Sequence, residues 1–265
     1  MAFRNVLGLV TFRGTLRDRS VEPYLRLFQT IRQRSRIRGV LLDISSGGGE
    51  HIASTDLYLA VKRLNQIKPV FVSIGAIGAS GAYLAALGAR RIFAYPESGV
   101  GSIGVIMPHL AVRDLLNRLG ISVELLHAGR HKDAYQGYRP LTDEERVKLT
   151  AIIQHGYQTF VETVARERQR PVEEIRNLAT GEYWTGAEAL RLGLVDALND
   201  REGALEELSR LTGVPVRRTV RLAPPRPFLE RLFSGSGTFA AEALTRGVRD
   251  SLEDLILTGW LRGRL

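Results

Sequence analysis

The chain has 265 residues, 44% apolar and 25% charged, the balance of a soluble globular fold large enough to bury a full core. It contains no cysteine, which excludes disulfides, thiolate metal centres and a cysteine nucleophile. The net charge is +9, but the arginines are scattered over helix faces and no basic run is interleaved with aromatics, so nucleic acid is not an expected partner.

The apolar N-terminal stretch is interrupted too soon to span a bilayer and lacks a signal-peptide pattern, which leaves cytoplasm or membrane surface open as locations. Residues 6–12 read as a first strand. Ser20-Val21-Glu22-Pro23 then reads as a helix start, with serine as cap and an acid in the first turn, followed by an apolar face of Leu25, Leu27, Phe28 and Ile31. Residues 39–44 form an apolar run of strand length that opens into Ser45-Ser46-Gly47-Gly48-Gly49. A helix is expected over 52–67, a strand over 69–74, and a short helix over 83–87. Between the last two, Gly75-Ala76-Ile77-Gly78-Ala79-Ser80-Gly81-Ala82 crowds small residues into a sharp turn. Buried strands alternating with helices predict an α/β fold with a parallel sheet, whose working edge lies beyond the carboxyl ends of the strands. The triple-glycine loop and the Ser80 turn both fall at that edge.

Residues 91–95 read as a short strand. A glycine-rich turn over 96–104 leads into an apolar run, Val105-Ile106-Met107, also read as a strand. An amphipathic helix over 110–119 stops at Gly120, and residues 121–126 read as another strand. Residues 129–135 form a polar loop. Thr142 caps a long helix that opens with acids at its positive end. Further helices are expected over 172–178, 187–192 and 203–211, with 184–186 and 193–196 as connections. Residues 217–222 alternate like an edge strand. Beyond them lie Pro224, Pro225 and Pro227, the flexible Ser234-Gly235-Ser236-Gly237, and an amphipathic helix over 239–261 that suits a neighbouring subunit, a membrane surface or its own domain. The expected division is a catalytic domain over 1–213 and a C-terminal linker and helix over 214–265.

Several motifs carry no chemistry. Gly99-x-Gly101-x-x-Gly104 runs toward an expected strand, whereas the dinucleotide fingerprint needs a helix there. His127 and His131 straddle Gly129 in a loop, so no metal site is expected, and no cofactor. Gly78-Ala79-Ser80-Gly81-Ala82 departs from G-x-S-x-G at Ala82. Ser80 at a helix start, with the N–H of Gly81 free beside it, has the geometry of acyl-transfer chemistry; the plainer reading is a helix cap. Its base could be any of His109, His127, His131 and His155, none of which stands out, or Lys132, which follows a strand in a small-residue loop. Serine with lysine is a working nucleophile–base pair if the amine is neutral, a form that burial favours; the plainer reading is a solvated surface lysine.

Four segments in this order, Ser46-Gly47-Gly48-Gly49, Gly78-Ala79-Ser80-Gly81-Ala82-Tyr83, Gly101-Ser102-Ile103-Gly104-Val105 and Gly129-Arg130-His131-Lys132-Asp133, resemble the signal peptide peptidase SppA family, the S49 serine peptidases, over residues 6–211. The resemblance implies a ClpP/crotonase-like α/β fold with a largely parallel sheet flanked by helices. It implies Ser80 as nucleophile, Lys132 as general base, Ser102 as the residue that orients the lysine, and Gly81 with the Gly48/Gly49 turn as the oxyanion hole. It further implies a serine endopeptidase acting on short apolar peptides such as cleaved signal peptides, assembled as a homo-oligomer. Two features depart from the family. Gly47 and Ser45 stand where it usually has proline and often asparagine, which leaves open which glycine donates, and no stretch of this sequence is expected to serve as the N-terminal membrane anchor common in the family. A crotonase-type acyl-CoA enzyme, or a silent scaffold at the membrane, are the readings from other classes.

Overall fold

A computed structural model describes residues 4–224, of which those up to Ala223 belong to one compact unit. The expected C-terminal helix and most of its linker lie outside the described residues. The chain runs β1 (Val6–Arg13), α1 (Asp18–Gln33), β2 (Ile37–Ser46), α2 (His51–Asn65), β3 (Val70–Ala79), α3 (Gly81–Ala86), β4 (Arg91–Ala94) and β5 (Gly99–Gly101). It continues with α4 (Arg113–Arg118), α5 (Asp143–Arg168), α6 (Val172–Leu178), β6 (Tyr183–Thr185), α7 (Gly186–Arg191), β7 (Ala197–Leu198), α8 (Arg201–Thr212), a 3-10 turn (Val216–Arg218) and β8 (Thr219–Leu222).

The sheet order is β6-β5-β3-β2-β1-β8, with β4 also on β3 and β7 on β4; every pairing is parallel except β5–β6. The central strands are apolar on both faces, as a parallel sheet covered by helices requires. Val10, Leu42 and Val72 belong to a large core that includes residues of α1, α2, α3 and α5, and Leu7, Leu41 and Phe71 to a smaller one with α8. Truncating a fully buried residue such as Leu42 to alanine costs about 2–5 kcal/mol.

Strand β3 is longer than expected, because the small-residue stretch read as a turn is strand as far as Ala79. Its first half pairs β4 (Phe71–Ile74 with Arg91–Ala94) and its second half pairs β5 (Ile77–Ala79 with Gly99–Gly101). Glycine permits the change of partner: a Cβ at Gly75 would lie 3.2 Å from the Ser45 Cβ, and one at Gly78 would lie 2.8 Å from Ile74. The carboxyl ends of β2, β3 and β5 therefore meet at one edge, where Ser46, Ala79 and Gly101 end their strands.

Several expectations are corrected. Helix α1 starts at Asp18, with Ser20 in its first turn, where Ser20 Oγ accepts from the Arg17 N–H at 2.9 Å. The expected strands at 105–107 and 121–126 do not form, and the helix over 110–119 shrinks to α4. Their apolar residues have no sheet to join: β6, read as a connection, takes the outer edge of β5, leaving Ile106 and Leu126 each 90% exposed. Residues 219–222 do form the expected edge strand, paired with β1.

Candidate active site

Ser80 occupies the one residue between β3 and α3. Its backbone has φ 49° and ψ −122°, a conformation a non-glycine residue holds only under constraint from its surroundings. That constraint is visible: the Ser80 N–H donates to the Gly101 carbonyl at 2.7 Å, and its carbonyl accepts from the Leu84 N–H at 2.9 Å. Helix α3 is wholly buried, and the Tyr83 hydroxyl donates to the Leu194 carbonyl at 2.8 Å, its acidity suppressed by burial. The Ser80 hydroxyl does not cap the helix and makes no hydrogen bond among the described residues. The plainer cap reading fails on this point.

The triple-glycine loop closes over this turn. A Cβ at Gly48 would lie 2.7 Å from the Gly81 nitrogen and 2.9 Å from the Ser80 Cβ, and Gly48 has φ +101°. A Cβ at Gly49 would strike the Leu16 backbone, with Leu16 O at 2.0 Å, because Gly49 bridges to Leu16. A Cβ at Gly81 would lie 3.5 Å from the Gly49 nitrogen, so these two backbone N–H groups stand close together beside Ser80. The Gly48 N–H is already committed, donating to Ser46 Oγ at 3.1 Å. The N–H groups of Gly49 and Gly81 have no acceptor among the described residues; the second is a helix first-turn donor. Gly47 has open space around it, so room for a side chain is not what its glycine supplies.

Ser80, Gly49, Gly81 and Ser102 line a cavity of about 420 Å³. Leu84, Ile106 and Phe160 line it as well, and Glu50 and His51 bring polar groups to it. Ser102 is also strained, at φ 48°. Its N–H donates to the Glu182 carbonyl at 2.8 Å, and its hydroxyl donates to the Gly181 carbonyl at 3.0 Å. The hydroxyl's lone pairs remain available to an incoming donor.

Lys132 is not part of this cavity. It is exposed, in turns between Gly129 and Arg139. The loop is tied instead to the start of α5, whose Thr142–Glu145 capping box forms as expected. Arg139 donates from Nε to Asp133 Oδ2, and from Nη1 and Nη2 to the two oxygens of Glu145, each at 2.8 Å. These bonds hold both carboxyls below the usual carboxylate range and push the Arg139 guanidinium up. Glu145 stands near this loop and Phe160 lies at the cavity, fifteen residues further along one helix, a separation of about 22 Å. Within one chain the structure does not bring Lys132 to Ser80.

The family model for peptidase family S49 matches residues 62–215, more than half of the chain. The chain belongs to peptidase family S49. The match includes the Ser80 turn, Ser102 and Lys132, while the triple-glycine loop lies before it. A candidate protease of Methanocaldococcus jannaschii is 38% identical to this S49 chain over 191 residues, covering 72% of the chain and 61% of that protein. The chain thus spans less than two thirds of that relative's length. Among solved structures, the 1510-N membrane-bound stomatin-specific protease, a serine-to-alanine variant, superposes with a TM-score of 0.55 at 17% identity, covering 84% of this chain and 100% of that one. A ClpP1 variant from Listeria monocytogenes superposes with a TM-score of 0.52 at 15% identity, covering 74% and 94%. The S49 fold here is therefore ClpP-like.

Sequence reasoning missed the cavity residues His51, Leu84, Phe160 and Tyr183, which come from four separate elements. It also missed Arg139, for which Glu145 was a signal: an acid at the third position of a capped helix can also bind a cation from the preceding loop.

Proposed function

We propose that this chain is a serine endopeptidase that cleaves short, extended, largely apolar peptides, such as fragments of cleaved signal peptides. The observation that carries the reading is Ser80 itself, a serine held in a strained turn with an uncommitted hydroxyl, beside two free backbone N–H groups in an open cavity. In the mechanism, Lys132 takes the Ser80 proton, Ser80 attacks the scissile carbonyl, and the N–H groups of Gly49 and Gly81 receive the oxyanion. Gly48 contributes the close approach of loop to turn rather than a donor. The ammonium then gives its proton to the leaving amine, and the same lysine activates the water that releases the acyl-enzyme. Ser102 orients the lysine by accepting from its amine, a role for which its hydroxyl, already donating to Gly181, keeps its lone pairs. Leu84, Ile106 and Phe160 in the cavity wall support the apolar preference.

The lysine comes from a second copy of the chain. Its own serine lines a cavity that α5 reaches at Phe160, fifteen residues beyond Glu145, and the segment that runs toward Lys132 exposes Ile106, Leu110, Leu119 and Leu126, each at least 65% accessible. A neighbour covering this apolar face completes a homo-oligomer and withdraws the amine from water, which favours its neutral form. Digestion of a random peptide mixture, read by mass spectrometry, tests both parts. The wild type cleaves, and Ser80→Ala and Lys132→Ala each do not. The two variants regain cleavage when dissociated and reassembled together, because mixed contacts pair an intact serine with an intact lysine. Full activity in either variant overturns the dyad, and no recovery on mixing overturns the shared site.

A further inference from the structure

Both chain neighbours of Lys132 stand beside the same ion pair, and Asp133 is hydrogen-bonded into it. On one side His131 Nδ1 lies 3.7 Å from Glu145 Oε1, and its Nε2 lies 3.4 Å from Glu144 Oε1. On the other side Asp133 Oδ2 accepts from Arg139 Nε at 2.8 Å, while Arg139 grips Glu145 with two further bonds. Glu145 is 3% exposed and its Oε2 also accepts from the Thr142 N–H at 2.9 Å, so the guanidinium is anchored to the first turn of a 26-residue helix. The Arg139 carbonyl is within hydrogen-bond distance of His109 Nε2, 2.9 Å, which ties the fork to the chain leaving the cavity. A lysine that is itself exposed, in a loop of turns, thus has one flanking residue, Asp133, fixed to a rigid support and the other, His131, packed near it.

We propose that Arg139 is a positioning residue for Lys132: its guanidinium fastens Asp133 to Glu145 and so fixes the backbone from which the lysine side chain projects. This rests on Lys132 being the base. The fork does a second thing. Arg139 is the cation between two carboxylates, Asp133 and Glu145, that flank the lysine's loop. The other charged or titratable groups facing the loop are His127, whose Nε2 is 4.0 Å from Asp133 Oδ1, His131, which stands near Glu144 and Glu145, and Arg130 and Lys148, which both reach Glu144. Removing the guanidinium takes from both carboxylates the cation that hydrogen-bonds them, which raises the negative potential over the lysine's loop, favours the ammonium form of the amine and moves the onset of activity to higher pH.

The test compares wild type, Arg139→Ala and Arg139→Lys as full-length proteins, by the pH dependence of kcat and KM on an apolar peptide. In parallel, the rate at which a limiting amine-acylating reagent labels Lys132 is mapped by mass spectrometry across pH, a readout that needs no catalysis. Arg139→Ala is expected to lower kcat about tenfold with KM within about twofold, and to move the acidic limb of kcat and the Lys132 labelling curve up together by about half a pH unit. Arg139→Lys restores the cation but not the fork, so its pH limb and labelling curve return to wild type while kcat stays low. If Arg139→Ala does not fold, Arg139→Lys decides by its kcat alone. Wild-type kcat in the folded variant, or a labelling curve in Arg139→Ala that superposes on wild type, overturns the proposal. A Lys132→Ala protein that cleaves normally overturns the dyad instead, and the labelling curves then still decide whether Arg139 governs the loop.

Discussion

Gly48→Ala is the sharpest single perturbation of the site. The added Cβ would lie 2.7 Å from the Gly81 nitrogen, 2.9 Å from the Ser80 Cβ and 3.0 Å from the Ala79 carbonyl, where ordinary contact begins at 3.4 Å. Loop and turn must therefore part by about 0.7 Å, and none of the three atoms is the free end of a flexible side chain. The backbone adds its own penalty, since φ +101° costs an L-residue about 1–2 kcal/mol or more. For a domain of this size that corresponds to a fall in Tm of about 2–8 °C. Catalysis suffers more, because the parting separates the Gly49 and Gly81 N–H groups from the position of the oxyanion. Loss of one such donor costs about 10²–10³ in kcat. The measurements are kcat on an apolar peptide and thermal unfolding, with Gly47→Ala as the comparison: its Cβ meets nothing within 4 Å, so its Tm stays unchanged. A Gly48→Ala protein with wild-type kcat and Tm would refute the account of the oxyanion hole.

Three further outcomes follow from the structure. Ser80→Gly and Ser80→Ala both abolish turnover, but the glycine variant unfolds at a higher temperature than the alanine variant, by about 1 kcal/mol of relieved strain at φ 49°; equal stabilities would mean the turn is unstrained. Tyr83→Phe leaves the buried Leu194 carbonyl without its donor and lowers stability by about 1–3 kcal/mol in denaturant titration, with kcat preserved to within about twofold. Glu145 has its carboxyl held below the usual range by Arg139, so its contribution is fully present above the ordinary glutamate value and disappears as pH falls through the lower folded value. The gap in Tm between wild type and Glu145→Gln is therefore constant above about pH 5 and closes in acid; a gap that widens in acid contradicts the ion pair.

The sequence by itself determined whatever depends on neighbours along the chain. The alternation of apolar runs with amphipathic helices required a covered parallel sheet. The small residues around Ser80 marked a sharp strand-to-helix transition, and Thr142 with Glu145 marked the start of α5. These are local signals, read at the periods of strand and helix. Tertiary structure decided everything that depends on a distant partner. Whether Val105-Ile106-Met107 became a strand depended on a free sheet edge, and β6 had taken it. Which glycine N–H stayed free depended on Ser46 Oγ binding that of Gly48. Whether the Ser80 hydroxyl was a cap depended on a backbone angle held by Gly101 on the neighbouring strand β5. The separation of Lys132 from Ser80 was illegible for the same reason: a motif gives the residues and their order, while the length of α5 and the fork at Arg139 set where the lysine stands.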